Sequence, residues 1–192
     1  SLHPAYLARF GVTGINGIRE AMKKLGFADA ADAAEGASLM ISQYRALFAE
    51  QKEPGIMISS ACPVIVQLVK KHYPHLLGNL VQSASMMQFH ASYLKKKYPN
   101  AEIVYVSPCI SAMSELRDSG NEVDYVITLE ELVQWMKKEG ISITEKEPEQ
   151  IAYRSREIAI ADGLTDLLGA VKGIRRLSVS GMEQCREVLE EL

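Results

Sequence analysis

The sequence is poor in cysteine: three in 192 residues, with no C-x-x-C pair. An odd, sparse set cannot build a disulfide framework and suits a reducing cytoplasm. An excess of one charge is also missing. The formal net charge is -3, which gives no reason to expect nucleic acid or an anionic membrane surface as partner. No apolar run approaches the ~20 residues of a membrane-spanning helix, and no signal-peptide pattern opens the chain. The sequence holds no internal repeat and no low-complexity tract. Its histidines are scattered. His72 and His75 flank Pro74 and are expected at the surface; His90 could face a cleft but has no second histidine at metal-ligand spacing.

What is present is ordinary for a globular protein: 47% hydrophobic and 23% charged residues, enough chain for one large domain or two small lobes. The chain opens on Ser1 rather than methionine, and the expectation is a fragment of something longer. Apolar periodicity predicts helices over 16–25, 36–51, 63–72, 85–97, 111–119, 128–139, 164–171 and 182–192. Short apolar or β-branched runs predict strands over 27–33, 56–59, 102–106, 122–127, 158–161 and 177–180. Thr128-Leu129-Glu130-Glu131 reads as a capping box. Lys95-Lys96-Lys97 reads as a solvated helix end whose positive charge suits the helix dipole. The alternation of strands and helices indicates an α/β chain with mainly parallel pairing.

One stretch organises the rest. Ile56-Met57-Ile58 reads as a buried strand, Ser59-Ser60-Ala61 leads out of it, and Pro63 suits the first turn of a helix. Cys62 then stands beside a helix N-terminus, where open N–H groups and the helix dipole favour an anionic sulfur. The bland alternative is a small buried cysteine in a crossover. A second stretch weighs against it: Ile103-Val104-Tyr105-Val106-Ser107-Pro108-Cys109 repeats the order strand, proline, cysteine. Two cysteines at the carboxyl ends of two strands of one sheet would face one crevice, where α/β proteins bind ligands. Two thiolates are half a ligand set for zinc or for an iron–sulfur cluster. Cys185 shares a helix face with Met182 and Leu189 and reads as core; Met86 and Met87 read as packing.

These stretches resemble the first two signature segments of the catalytic (H-cluster) domain of the iron-only, or FeFe, hydrogenase large subunit. That family reads T-S-C-C-P in the first and M-P-C-x-x-K-x-x-E in the second. Supporting matches are Leu2-His3-Pro4, Tyr73-Pro74-His75-Leu76, Asn79-Leu80, Val123-Asp124-Tyr125-Val126 and Ser180-Gly181-Met182. The resemblance implies two intertwined α/β lobes with a cleft between them. Residues 1–54, with 162–192 returning, would form one lobe and 55–161 the other. It also implies that Cys62 and Cys109 bind the cubane (4Fe-4S) half of the H-cluster in a longer parent protein, Pro108 and Glu115 lying in the same cofactor-binding segment. Glu115 would support the loop through hydrogen bonds; as a residue on its own it reads equally well as a solvent-facing helix position.

Departures from the family pattern shape the functional expectation. The cysteine that passes protons to the diiron site is replaced by Ala61, which carries none. The family lysine after the second cysteine is Ala112. The paired glutamates of the proton route are replaced in the region Ser42-Gln43-Tyr44, its serine by Val81, and a Pro-Gln pair by Met86-Met87. The third signature, with two further cluster cysteines, has no counterpart in the sequence. The resemblance therefore implies an anaerobic, cytoplasmic, hydrogenase-like redox protein, a slow or sensory member more than a fast hydrogen producer. Its partners would be H2 or protons and an electron-transfer partner such as ferredoxin or a fused ferredoxin-like domain. This piece alone is expected to be inactive and to carry no ordered cluster. The alternative is a non-catalytic iron–sulfur electron-transfer or signalling module without a diiron site.

Overall fold

The structure, a computed structural model, describes residues 1–50, 55–119, 122–144, 153–170 and 173–192. It is a mixed α/β fold in which a small parallel sheet is flanked by helices. The helices are α1 (Tyr6–Phe10), α2 (Asn16–Lys24), α3 (Ala34–Glu50), α4 (Pro63–His72), α5 (Met86–Lys97), α6 (Ser111–Ser119), α7 (Leu129–Lys138), α8 (Gly163–Leu168) and α9 (Met182–Glu190). The strands β1 (Val104–Ser107) and β2 (Tyr125–Thr128) pair in parallel, Val104 opposite Tyr125 and Ser107 opposite Thr128. The crossover between them carries α6, as a parallel pair requires. Leu2 flanks β1 on its other edge. It bridges Val106 and Asp32 in parallel, its N–H donating to the Ala31 carbonyl at 2.9 Å.

Side chains alternate across a strand, and β1 uses this to divide the interior. Tyr105 enters a cluster with Met40, Ile41 and Tyr44 of α3 and Met87 and Leu94 of α5. Val106 enters another with Leu2, Tyr6, Ile18, Met22, Leu132 and Met136. A third cluster joins Ile58, Leu68, Val69, Leu76 and Leu80 to Leu189 of α9. Helices α3 and α5 cross closely at Gly36, where an added Cβ would lie 2.5 Å from the Met86 carbonyl oxygen and 2.6 Å from Cβ of His90.

Four of the six expected strands are not built as strands. Residues 27–33 are reduced to the single bridge at Asp32, and 56–59 to a bridge between Ile58 and Leu80. Both segments gain backbone partners at one point only, so no ladder propagates. Residues 158–161 were expected as a strand, but a 3-10 helix covers Arg154–Ala159. It is pinned to the start of α3: Ser155 Oγ donates to the Ala34 carbonyl at 2.6 Å and Arg156 Nε to Asp32 Oδ2 at 2.7 Å. Residues 177–180 have the composition of a strand but no strand partner among the described residues, and Leu177 is 70% exposed. A further 3-10 helix, Pro74–Asn79, lies in the connection expected over 73–85. Among the described residues no helix is long and apolar enough to cross a membrane.

Candidate functional site

The approach to Cys62 is held by a tyrosine. Tyr44, buried on α3, accepts the Ser60 N–H at 2.9 Å on its hydroxyl. The same hydroxyl lies 3.1 Å from Ser60 Oγ and 3.2 Å from Ser59 Oγ. Ser59 Oγ in turn accepts the Ala61 N–H at 3.2 Å. Ala61 is half-buried against the cluster around Tyr44. Cys62 follows as the N-cap of α4, with extended backbone (φ -103°, ψ 113°) and Pro63 opening the helix. Its thiol makes no capping hydrogen bond and is exposed.

Cys109 is reached differently. β1 ends at buried Ser107, whose Oγ accepts the Cys109 N–H at 3.1 Å and donates to the Cys109 carbonyl at 2.8 Å. This local loop turns Pro108, Cys109 and Ile110 out to solvent. Cys109 Sγ lies 3.1 Å from Ser111 Oγ and 3.5 Å from the Ser111 N–H that points to it. Ala112 is buried in the same cluster against which Ala61 packs. Helix α4 packs on α6, so both exposed cysteines stand at the entrances of neighbouring helices.

Only Cys109 stands at the end of a sheet strand. The segment before Cys62 bridges Leu80 and not β1 or β2, so the expectation of two strands in one sheet is corrected. Helix packing and a shared core relate the two cysteines instead. Among the described residues, no three Cys, His, Asp or Glu side chains gather closely enough to hold a metal ion.

Glu115, on α6, accepts a short hydrogen bond from Ser85 Oγ. Burial pushes its carboxyl above the ordinary range, and the Ser85 bond partly offsets this. Ser85 is the N-cap of α5, and Gln88 completes a capping box with it. Glu115 thus ties the helix after Cys109 to the start of α5.

Two other residues lie elsewhere than expected. His90 is fully buried: its Nδ1 is 2.7 Å from Ser1 Oγ and its Nε2 3.5 Å from Glu35 Oε2. Burial lowers its pKa, and the nearby imidazole lowers that of Glu35. Cys185 is half-exposed rather than core. Its thiol is pushed up first by burial and then by the neighbouring Cys62 sulfur. His72 and His75 are exposed, and Met86 and Met87 are buried in the core. The roles of Tyr44 and His90 were not evident from sequence. A tyrosine on an apolar helix face reads as packing until the partner of its hydroxyl is known.

The family described as iron only hydrogenase large subunit, C-terminal domain, matches residues 1–187. The chain belongs to this family. Solved FeFe-hydrogenases share its fold. One is a HydA(deltaEFG) structure concerned with stepwise H-cluster assembly, 26% identical, with a TM-score of 0.66 over 78% of this chain and 44% of that one. Another is a variant of HydA1 from Chlamydomonas reinhardtii, 27% identical, with a TM-score of 0.67 over 78% of this chain and 45% of that one. A third, from work on oxygen inactivation through the 2Fe subcluster, is 25% identical with a TM-score of 0.65. The chain thus spans a little under half the length of these solved structures. No curated protein matched it. Within the family, Cys62 and Cys109 are suited in kind to an iron–sulfur cluster, as exposed soft thiols. In number they supply two of the four thiolates that a cubane takes.

Proposed function

We propose that this chain is part of an FeFe-hydrogenase-like redox protein in which Cys62 and Cys109 hold the 4Fe-4S half of the H-cluster. The observation that carries this reading is the shared setting of the two thiols. Both are exposed, both stand at the entrance of a helix, and the two helices pack on each other. When bound, the cluster would supply one-electron transfer to or from a site that reacts with or senses H2. The residues of this chain would hold and orient it. Pro108 and the Ser107 loop turn Cys109 outward, the Tyr44 hydroxyl fixes the loop before Cys62, and Glu115 braces the helix after Cys109. Residues 1–54 with 162–192 would form one lobe and 55–161 the other.

Ala61 supplies no titrating group beside Cys62, and Val81, at the family's serine, is buried among apolar neighbours. Both favour a sensory or slow member. The same observation supports a second reading, an electron-transfer or signalling module with a cubane and no diiron unit. The electron partner would be a ferredoxin or ferredoxin-like domain, and the setting a cytoplasm free of oxygen. Anaerobic reconstitution of the longer protein separates the readings. About six iron atoms per chain, a cubane's four and two more, with infrared bands from bound CO and cyanide after maturation supports the first, and about four without those bands the second. Neither iron nor bands would overturn both.

A further inference from the structure

His90 of α5 is fully buried, yet only one of its ring nitrogens is satisfied. Nδ1 has Ser1 Oγ at 2.7 Å. Nε2 has no hydrogen-bond partner among the described residues and faces Glu35 Oε2 at 3.5 Å. The other oxygen of that carboxylate, Oε1, accepts the Tyr153 hydroxyl at 2.6 Å. Tyr153 leads directly into the 3-10 helix Arg154–Ala159, whose Ser155 and Arg156 are bonded to the Ala34 carbonyl and to Asp32. Glu35, in the first turn of α3, thus stands between a buried imidazole and a docked segment.

Other charged and titratable groups surround this pair. Asp32, just before α3, is already paired with Arg156 at 2.7 Å, and Lys97 of α5 also favours the charged form of Glu35. Tyr93 stacks on the His90 ring with centroids 6.1 Å apart. The Ser1 amino group, bonded to the Val104 carbonyl, opposes a positive ring. His3 is close enough to feel Asp32, and Glu115 holds Ser85 at the start of α5.

An imidazolium carries a proton on each nitrogen, whichever tautomer the neutral ring adopts. A protonated His90 therefore points Nε2–H at Glu35. A charge-assisted N–H···O bond closes to about 2.7–2.9 Å, so one partner must move. The ring is fixed where α3 and α5 meet: a Cβ on Gly36 would lie 2.6 Å from Cβ and 2.8 Å from the backbone N of His90. Glu35 is free to turn, because its side chain is 28% exposed.

We propose that His90 and Glu35 form an acid-sensitive clasp on residues 153–159. A proton from solvent binds His90, the Glu35 carboxylate turns to Nε2 and leaves the Tyr153 hydroxyl, and the 3-10 helix loosens from α3. Burial holds the His90 pKa below its ordinary value of 6.5, while Glu35 stays ionised because its own pKa is lowered. The clasp therefore opens only as pH falls below about 6.5. It involves neither Cys62 nor Cys109 and stands without the cluster reading.

The test is hydrogen–deuterium exchange of the whole chain, free of metal, at about pH 7.5 and about pH 5.5, either side of the ordinary histidine value. Rates are corrected for the intrinsic effect of pH on exchange. The reporters are the Arg156 and Ile160 amides, bonded to the Tyr153 and Glu157 carbonyls. Acid is expected to speed their exchange at least about tenfold, the loss of one hydrogen bond to a charged group, while the amides of α7 keep their protection. In His90→Gln, which has no proton to gain, the response should fall to about threefold or less. Tyr153→Phe, at a half-buried position, gives a second reading without touching the core: exchange should be faster already at the higher pH and respond as little to acid. No acid response in the wild type overturns the proposal. So does an equal response in α7, which would be unfolding of the whole chain. A tenfold response that survives in His90→Gln or Tyr153→Phe also overturns it, and assigns the effect to another group such as the Ser1 amine, His3 or Glu115.

Discussion

The Tyr44 hydroxyl accepts the Ser60 N–H at 2.9 Å, joining the middle of α3 to the loop that presents Cys62. The two residues are sixteen positions apart, and the same hydroxyl also meets the side chains of Ser59 and Ser60. Tyr44→Phe keeps the ring in its cluster and removes this anchor. The expected loss is about 1–2 kcal/mol, that of a hydrogen bond whose partner is left half-buried. Urea denaturation measures it. Alkylation of Cys62 in native protein should be faster in the variant, because the loop is less restrained.

Gly36 is required by the approach of α3 to α5. Gly36→Ala sets a methyl 2.5 Å from the Met86 carbonyl oxygen and 2.6 Å from Cβ of His90. Backbone atoms cannot give way as the end of a side chain does, so a loss of about 1–3 kcal/mol or more is expected. Gly78→Ala is the control: nothing lies within 4 Å of its added Cβ, and its effect should stay within about 0.5 kcal/mol. Thermal melts of the two variants decide the matter.

Burial lowers the pKa of His3 to about 4 and also lowers that of His90. Both rings bind fewer protons in the folded chain than in the unfolded one, so stability rises with pH across the window between the two pKa values. Stability should begin to fall as pH drops below about 6.5, the ordinary histidine value. The His3 contribution continues to be lost to about pH 4. Glu35 and Asp32 face His90 and act to raise its pKa, against the larger effect of burial. His90→Gln should flatten the curve of unfolding free energy against pH by up to about 1.4 kcal/mol per pH unit, one proton's worth. An unchanged slope between pH 6 and 5 would show that His90 does not titrate with unfolding.

In the complete protein, Ala61 should limit turnover. General acid–base assistance is worth ~10²–10⁴-fold in rate, and a methyl group provides none. Hydrogen evolution from reduced dye should be at least about a hundredfold slower than in relatives with a cysteine at this position. Ala61→Cys alone should recover little. Gln43 carries no acidic or basic group, the Tyr44 hydroxyl is engaged by Ser59 and Ser60, and Val81 is buried. Adding acidic groups at 43 or 44 and a hydroxyl at 81 should recover more, because relay members act as a unit. A wild-type rate equal to that of the relatives would point to another proton path.

Local chemistry made much of this structure legible. Thr128 and Glu131 form the capping box that their spacing announces, and Pro63 opens α4 directly after Cys62. Cys109 follows β1 as its strand–proline–cysteine order suggests. What escaped was decided over long sequence distances. Ile158 to Ala161 is apolar and β-branched enough for a strand, but a short apolar run does not distinguish strand from helix. The contacts of Ser155 and Arg156 with Ala34 and Asp32, on α3 and just before it, favour a 3-10 turn. Leu177 to Ser180 lacks a strand to pair with among the described residues. His90 read as a cleft residue because periodicity places it on a face without naming what lies opposite; α3 and Ser1 cover it. Cys185 read as core from the company of Leu189, yet the helix N-terminus it occupies is the exposed end.

The central claim is that Cys62 and Cys109 are both cluster ligands. The most direct measurement is anaerobic reconstitution of the longer protein with iron and sulfide, as wild type, Cys62→Ala, Cys109→Ala and Cys185→Ala. Iron content and the electron paramagnetic resonance of the reduced protein are then read. About four iron atoms and a reduced-cubane signal are expected in wild type and in Cys185→Ala, with the signal lost or strongly altered in each of the other two. An unchanged cubane in either Cys62→Ala or Cys109→Ala would contradict the account.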